Sequence, residues 1–117
     1  MKKKRQKNAK NRKTLCKLYI LDVHRTPLTI YGYIRLGWDH ICKNGIKLKK
    51  SYYVTYNREY DYAVNPEELF RNSNQGYCGP SLSVGDVIEI CNGKNRGMWF
   101  VNDIGFIKFY KSRRNFN

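Results

Sequence analysis

The sequence lacks the arrangements that most readily mark an enzyme or a metalloprotein. Its 117 residues hold only two histidines, His24 and His40, and no Cys-x-x-Cys pair. The cysteines, Cys16, Cys42, Cys78 and Cys91, are scattered, and His40-Ile41-Cys42 is the one close pairing of ligand types. Structural zinc sites use tighter, repeated spacing, so no metal and no other cofactor is expected. Gly93-Lys94-Asn95-Arg96-Gly97 is basic but has no phosphate-loop spacing. No run approaches the roughly 18 apolar residues of a membrane span. The basic first residues lead into no apolar stretch, which excludes a secretory signal, and position 2 is not the glycine that myristoylation needs. A cytoplasmic protein with reduced thiols and no membrane partner is therefore expected.

Acidic residues are also scarce: nine against 23 Lys and Arg, for a formal charge of +14. The excess is segregated. Residues 1–13 carry eight basic residues and no acid, and residues 108–117 carry four and no acid. Residues 14–107 carry eleven basic and all nine acidic residues. The middle is thus an ordinary domain core, and the charge sits at the ends. A run of eight like charges in thirteen residues repels itself and has nothing apolar to bury, so a disordered arm is expected over 1–13. Next to a polyanion such an arm is favourable, because each neutralised phosphate releases condensed counterions. The organisation expected is an arm over 1–13, one domain over 14–110 and a basic tail over 111–117.

Local patterns give the elements. Leu15 to Leu21 is rich in strand formers and predicts the first strand. Thr29 to Ile34 reads as extended, and Leu36 to Cys42 as a short helix that Lys43-Asn44-Gly45 stops. Ser51 to Tyr56 predicts a second strand, with Tyr52 and Tyr56 on one face and Tyr53 on the other. Asn65 is suited to a helix N-cap, Pro66 to the first helical position, and Glu67 and Glu68 to the positive end of the dipole. Val87 to Ile90, Trp99 to Val101 and Phe106 to Tyr110 predict a three-strand meander, joined by a glycine-containing hairpin loop and a turn at Asp103-Ile104-Gly105. The fold class expected is α+β: a small, mostly antiparallel sheet with one or two short helices.

Three stretches carry a resemblance. They are Pro66-Glu67-Glu68-Leu69-Phe70; Gly79-Pro80-Ser81-Leu82-Ser83-Val84-Gly85-Asp86-Val87-Ile88; and Trp99 to Phe106, with Tyr52-Tyr53-Val54-Thr55-Tyr56 upstream. They resemble the YodL-like domain family over roughly residues 15–110. Asn102-Asp103 departs from that family's Asp-Ser. The resemblance implies a bacterial accessory protein of plasmids, conjugative elements or phages, and it brings no reaction and no catalytic residue.

Ser81, Ser83, Gly85, Asp86, Asp103 and Gly105 are the most enzyme-like group, but a structural reading is simpler. Short polar side chains beside glycine satisfy turn N–H groups, and a nucleophile would need a base within reach. No enzyme is expected. The function expected is binding of nucleic acid or a host ribonucleoprotein, with inhibition of a host defence system, as by an anti-CRISPR protein, as one version. Lys2, Lys3, Lys4, Arg5, Lys7, Lys10, Arg12, Lys13, Lys47, Lys49, Lys50, Lys111, Arg113 and Arg114 are the expected phosphate contacts. Tyr31, Tyr33, Trp38, Tyr52, Tyr53, Tyr56, Tyr60 and Tyr62 are the aromatics available for packing or for stacking on bases. The alternative is a protein–protein interaction module whose basic ends only solubilise it.

Overall fold

A computed structural model describes residues 13–73, 80–109 and 116. Five antiparallel strands form one sheet in the order β2-β1-β3-β4-β5. They are β1 (Thr14–Leu21), β2 (Tyr53–Tyr60), β3 (Val87–Ile90), β4 (Gly97–Val101) and β5 (Phe106–Phe109). Among the described residues three helices accompany them: α1 (Leu28–Leu36), α2 (Trp38–Lys43) and α3 (Pro66–Ser73). The expected α+β class and closing meander are found, with three helices rather than one or two.

The additional helix is α1, which occupies the stretch that reads as extended. β-branched and aromatic residues bias Thr29 to Ile34 towards strand. Yet Ile30, Tyr31 and Ile34, at helical spacing, are the positions that meet the core. Tertiary burial of that stripe outweighs a propensity difference of a few tenths of a kcal/mol per residue. The second strand also shifts. Lys50–Tyr52 forms a single 3-10 turn, and β2 begins at Tyr53 and runs to Tyr60. The turn breaks the alternation, so Tyr52 and Tyr53 lie buried in the same cluster, while Tyr56 stays exposed.

The sheet divides the core in two. On one face Tyr19, Leu21, Val87, Met98 and Phe100 pack with Ile34 of α1, Ile41 of α2 and Leu48. On the other, Cys16, Leu18, Ile88, Ile90 and Val101 pack with Val64, Leu69 of α3 and Leu82. Alternate residues of β1 serve opposite faces, as the period of two requires. Burial pushes the Cys16 thiol up to about 12, with neighbouring Cys91 adding to the effect, so it behaves as a small core hydrophobe.

Helix α3 follows its sequence signals. The Glu68 N–H donates to Asn65 Oδ1 at 2.8 Å and the Asn65 N–H to Glu68 Oε1 at 3.3 Å, a reciprocal capping box. One core residue comes from the stretch that reads as a basic tail. Phe116 is fully buried, edge-on to Tyr19 with ring centroids 4.6 Å apart and 5.2 Å from Tyr53. Its N–H donates to the Leu48 carbonyl. The packing of the domain therefore takes in residue 116.

Candidate nucleic-acid interface

The Ser81 to Asp86 stretch is built around a carboxylate with no solvent exposure. Asp86 Oδ1 accepts the Leu21 N–H at 2.9 Å and Arg35 Nη1 at 3.1 Å; its Oδ2 accepts the Ser83 N–H at 2.8 Å. Arg35 also donates to the carbonyls of Val84 at 2.8 Å and Leu21 at 3.1 Å. Tyr53 Oη donates to the Gly85 carbonyl at 2.9 Å. Strand β1, helix α1, strand β2 and the turn before β3 thus meet at one point. Burial holds the Asp86 carboxyl above its usual range, although the Leu21 N–H, Arg35 and the Ser83 N–H pull it down. Gly85 sits at φ +101°, where a Cβ would lie 3.0 Å from Ile34 Cγ2 and 3.1 Å from the Ile34 carbonyl oxygen. Only glycine fits both that conformation and that approach.

These contacts knit the fold. Ser83 takes part through its backbone, whose carbonyl also accepts the Asp86 N–H at 3.0 Å. Ser81 and Asp103 are exposed, and Asp103 Oδ1 accepts the Ile104 N–H at 2.9 Å. Gly105 closes that turn by accepting the Asn102 N–H at 3.1 Å. His24 lies in the exposed turn after β1, with its N–H on Asp22 Oδ1 at 2.8 Å, and His40 lies on α2. Among the described residues no three His, Cys, Asp or Glu side chains gather as a metal site would need.

The basic candidates fall into two sets. Lys2, Lys3, Lys4, Arg5, Lys7, Lys10, Arg12, Lys111, Arg113 and Arg114 lie outside the described residues. Lys13 is exposed at the start of β1, with its Nζ 3.9 Å from Glu59 Oε2. Lys47, Lys49 and Lys50 lie together on the segment between α2 and β2, all exposed, and Lys43 ends α2 beside them. The segment alternates: Ile46 and Leu48 face the core while Lys47 and Lys49 face outward. No acid occurs between residues 43 and 50, and among the described residues none of these four lysines pairs with a carboxylate. The result is a cationic ridge seated on core-packed Ile46 and Leu48.

Two hollows flank the ridge and the opposite side of the sheet. One, of about 280 Å³, lies beside the ridge and is lined by Trp38, Ile41, Cys42, Gly45, Ile46, Leu48 and Phe109. The Trp38 indole is braced by Phe100 at 5.1 Å and Phe109 at 5.6 Å between centroids. The other, of about 510 Å³, lies between α3 and the β4–β5 turn, with Phe70, Val101 and Phe106 as its apolar lining and Glu67, Arg71 and Asp103 at its edge. Ile104, next to it in the turn, is 86% exposed.

Two contributors were not legible as site residues. Arg35 reads as one more surface cation, and nothing local announces its distant partners Leu21, Val84 and Asp86, beyond the Tyr31 hydroxyl one turn away. Asn102 reads only as a departure from a family pattern. Its Oδ1 accepts the Trp38 N–H at 3.1 Å, so the residue that follows β4 caps the start of α2 and anchors the Trp38 backbone. Gly37 is the approach that permits this: a Cβ there would lie 2.9 Å from Asn102 Oδ1.

A family model described as the YodL-like domain matches residues 20–111. No curated protein and no solved structure matches the chain. The match begins at Ile20, at the end of β1, and takes in β2 to β5, the Asp86 junction, the lysine ridge and both hollows. It leaves out residues 1–19, the basic residues 1–13 and most of β1 among them.

Proposed function

The chain belongs to the YodL-like domain family, and from that premise we propose that it is a non-enzymatic accessory protein that binds nucleic acid or a ribonucleoprotein. The observation that carries this reading is the segregation of charge. Eight cations without an acid precede a domain in which four exposed lysines, Lys43, Lys47, Lys49 and Lys50, form one ridge that no carboxylate among the described residues pairs. Ends of this kind supply affinity and no sequence information, so selectivity falls to the core. A role in a bacterial mobile element, including counter-defence against a host system, fits a small basic protein with a recognition core and no catalytic group.

The test is binding to generic DNA and RNA at several salt concentrations, with and without residues 1–13. Tight binding that salt weakens steeply is expected. Removing the arm should flatten the logarithmic salt slope by as much as about 7 if all eight cations engage, at about 0.9 per phosphate of a duplex. No binding at low salt would overturn the reading.

One observation favours a second reading, a protein-docking module. The cleft between α3 and the β4–β5 turn, with Ile104 86% exposed beside it, is a continuous apolar surface of the kind partners use. A photo-crosslinker at position 104 should then capture one defined protein in cells, with nucleic-acid binding unchanged. A ladder of unrelated adducts would dismiss this reading.

A further inference from the structure

We propose that the hollow beside the lysine ridge is a slot for one unpaired base of a single-stranded nucleic acid. This deepens the nucleic-acid reading above and rests on it. The size of the slot sets the class of occupant. At about 280 Å³ it falls just below the range of about 300–1,000 Å³ typical of pockets for whole small-molecule ligands. It takes one planar ring system, with the rest of a larger ligand left outside.

The walls set the chemistry. Trp38, Ile41, Ile46, Leu48 and Phe109 are apolar or aromatic, and the exposed Cys42 and Gly45 stand at the mouth. The indole is held before any ligand arrives, by Phe100 and Phe109 on its flanks and by Asn102 on its backbone. A flat apolar ring therefore gains contact at little cost in ordering.

The rim sets the charge of whatever the ring is attached to. Lys43 follows Cys42 directly, Lys47 stands between the lining residues Ile46 and Leu48, and Lys49 and Lys50 extend the row. Asp39 is the one carboxylate on α2. A flat apolar ring joined on both sides to negative charge is a nucleotide within a strand. In a duplex every base is held in its stack, and extrusion costs a few kcal/mol. The slot therefore selects single strands, by the combination of an electrostatic track and a stacking surface that general single-strand binders use.

The test uses the full chain, a single-stranded pyrimidine oligonucleotide of about ten nucleotides and a duplex of equal length, at physiological ionic strength. The single strand should bind tenfold or more tightly than the duplex. In a Trp99→Phe background, where Trp38 is the sole tryptophan, the single strand should quench its emission and the duplex should not. Cys42→Phe fills the mouth from an exposed position; it should reduce single-strand affinity to the duplex level and leave duplex affinity unchanged. Equal affinity for both forms without quenching of Trp38 would overturn the slot while leaving polyanion binding intact. Quenching by an acidic aromatic peptide but not by the oligonucleotide would overturn it in favour of a protein occupant. No binding of either nucleic acid would remove the slot and the broader reading together.

Discussion

Replacing Asp86 by alanine should unfold a large fraction of the molecules at room temperature. The carboxylate has no exposed area and serves three donors on three separate parts of the chain: Leu21, Ser83 and Arg35. Removing one partner of a buried ion pair costs about 3–5 kcal/mol. Each N–H left without an acceptor adds about 1–3 kcal/mol. Domains of this kind have about 5–15 kcal/mol in total. Urea titration followed by circular dichroism should show the loss, and a cost under about 1.5 kcal/mol would contradict the account. Asp86→Leu combined with Arg35→Met should cost less than the two single changes summed, because no charge is then left unpaired.

The same residue gives a pH dependence with an unexpected sign. Its folded carboxyl titrates above the ordinary range, with burial as the largest cause. Folding then favours the protonated form, so this group's contribution is fully present below the unfolded pKa, near 4. It is lost as the pH rises through the higher folded value. Mild acid should therefore strengthen the fold through Asp86. The stability gap between the natural protein and Asp86→Asn, measured from neutral pH downward, should widen as the pH falls. A gap that narrows would mean that the donors outweigh burial.

Replacing Phe116 by alanine should be nearly as damaging, although the residue lies within a strongly basic stretch. The ring is fully buried and touches Tyr19, Tyr53 and Phe109, the last at 6.4 Å between centroids. It is also held at φ +61°. A bulky residue keeps that conformation only where surrounding packing compensates for the strain. Deleting a buried phenyl group costs about 3–5 kcal/mol, which lowers the melting temperature by on the order of 12–20 °C for a domain of this size. Thermal denaturation reads this directly. A change of under about 3 °C would show that the ring is dispensable. Phe116→Leu should retain roughly half of the difference, because the cavity is partly refilled.

What was legible in the sequence was local. The cap at Asn65, the proline at 66 and the acids of the first turn announce α3, because each acts on backbone groups within four residues. The meander from Val87 onward is legible for the same reason: short connections force neighbours in sequence to be neighbours in space. The misread segment, Thr29 to Ile34, has strand-forming residues at helix spacing, and only the apolar surface beneath it decides between the two. Asp86 reads as a turn residue, but its depth is not legible locally, since Leu21 and Arg35 are 65 and 51 residues away. Phe116 was hidden by its composition: cations around it suggest solvent. The slot was visible in parts, as Trp38 on one side and Lys47, Lys49 and Lys50 on the other. Their adjacency follows from the path of residues 43–50 around the end of α2.

The position of β1 has a bearing on how the chain survives before it is folded. It is the first strand in the sequence, yet it pairs on one side with β2 and on the other with β3, whose residues lie some 70 positions downstream. Such distant pairings form slowly. During that interval Thr-Leu-Cys-Lys-Leu-Tyr-Ile-Leu is a naked, strand-prone segment, open to the same segment of another molecule. Eight cations stand immediately before it. Charges flanking a sticky strand act as gatekeepers, since stacking identical segments would also stack their charges. Those cations thus protect the strand against self-association, whatever else they bind.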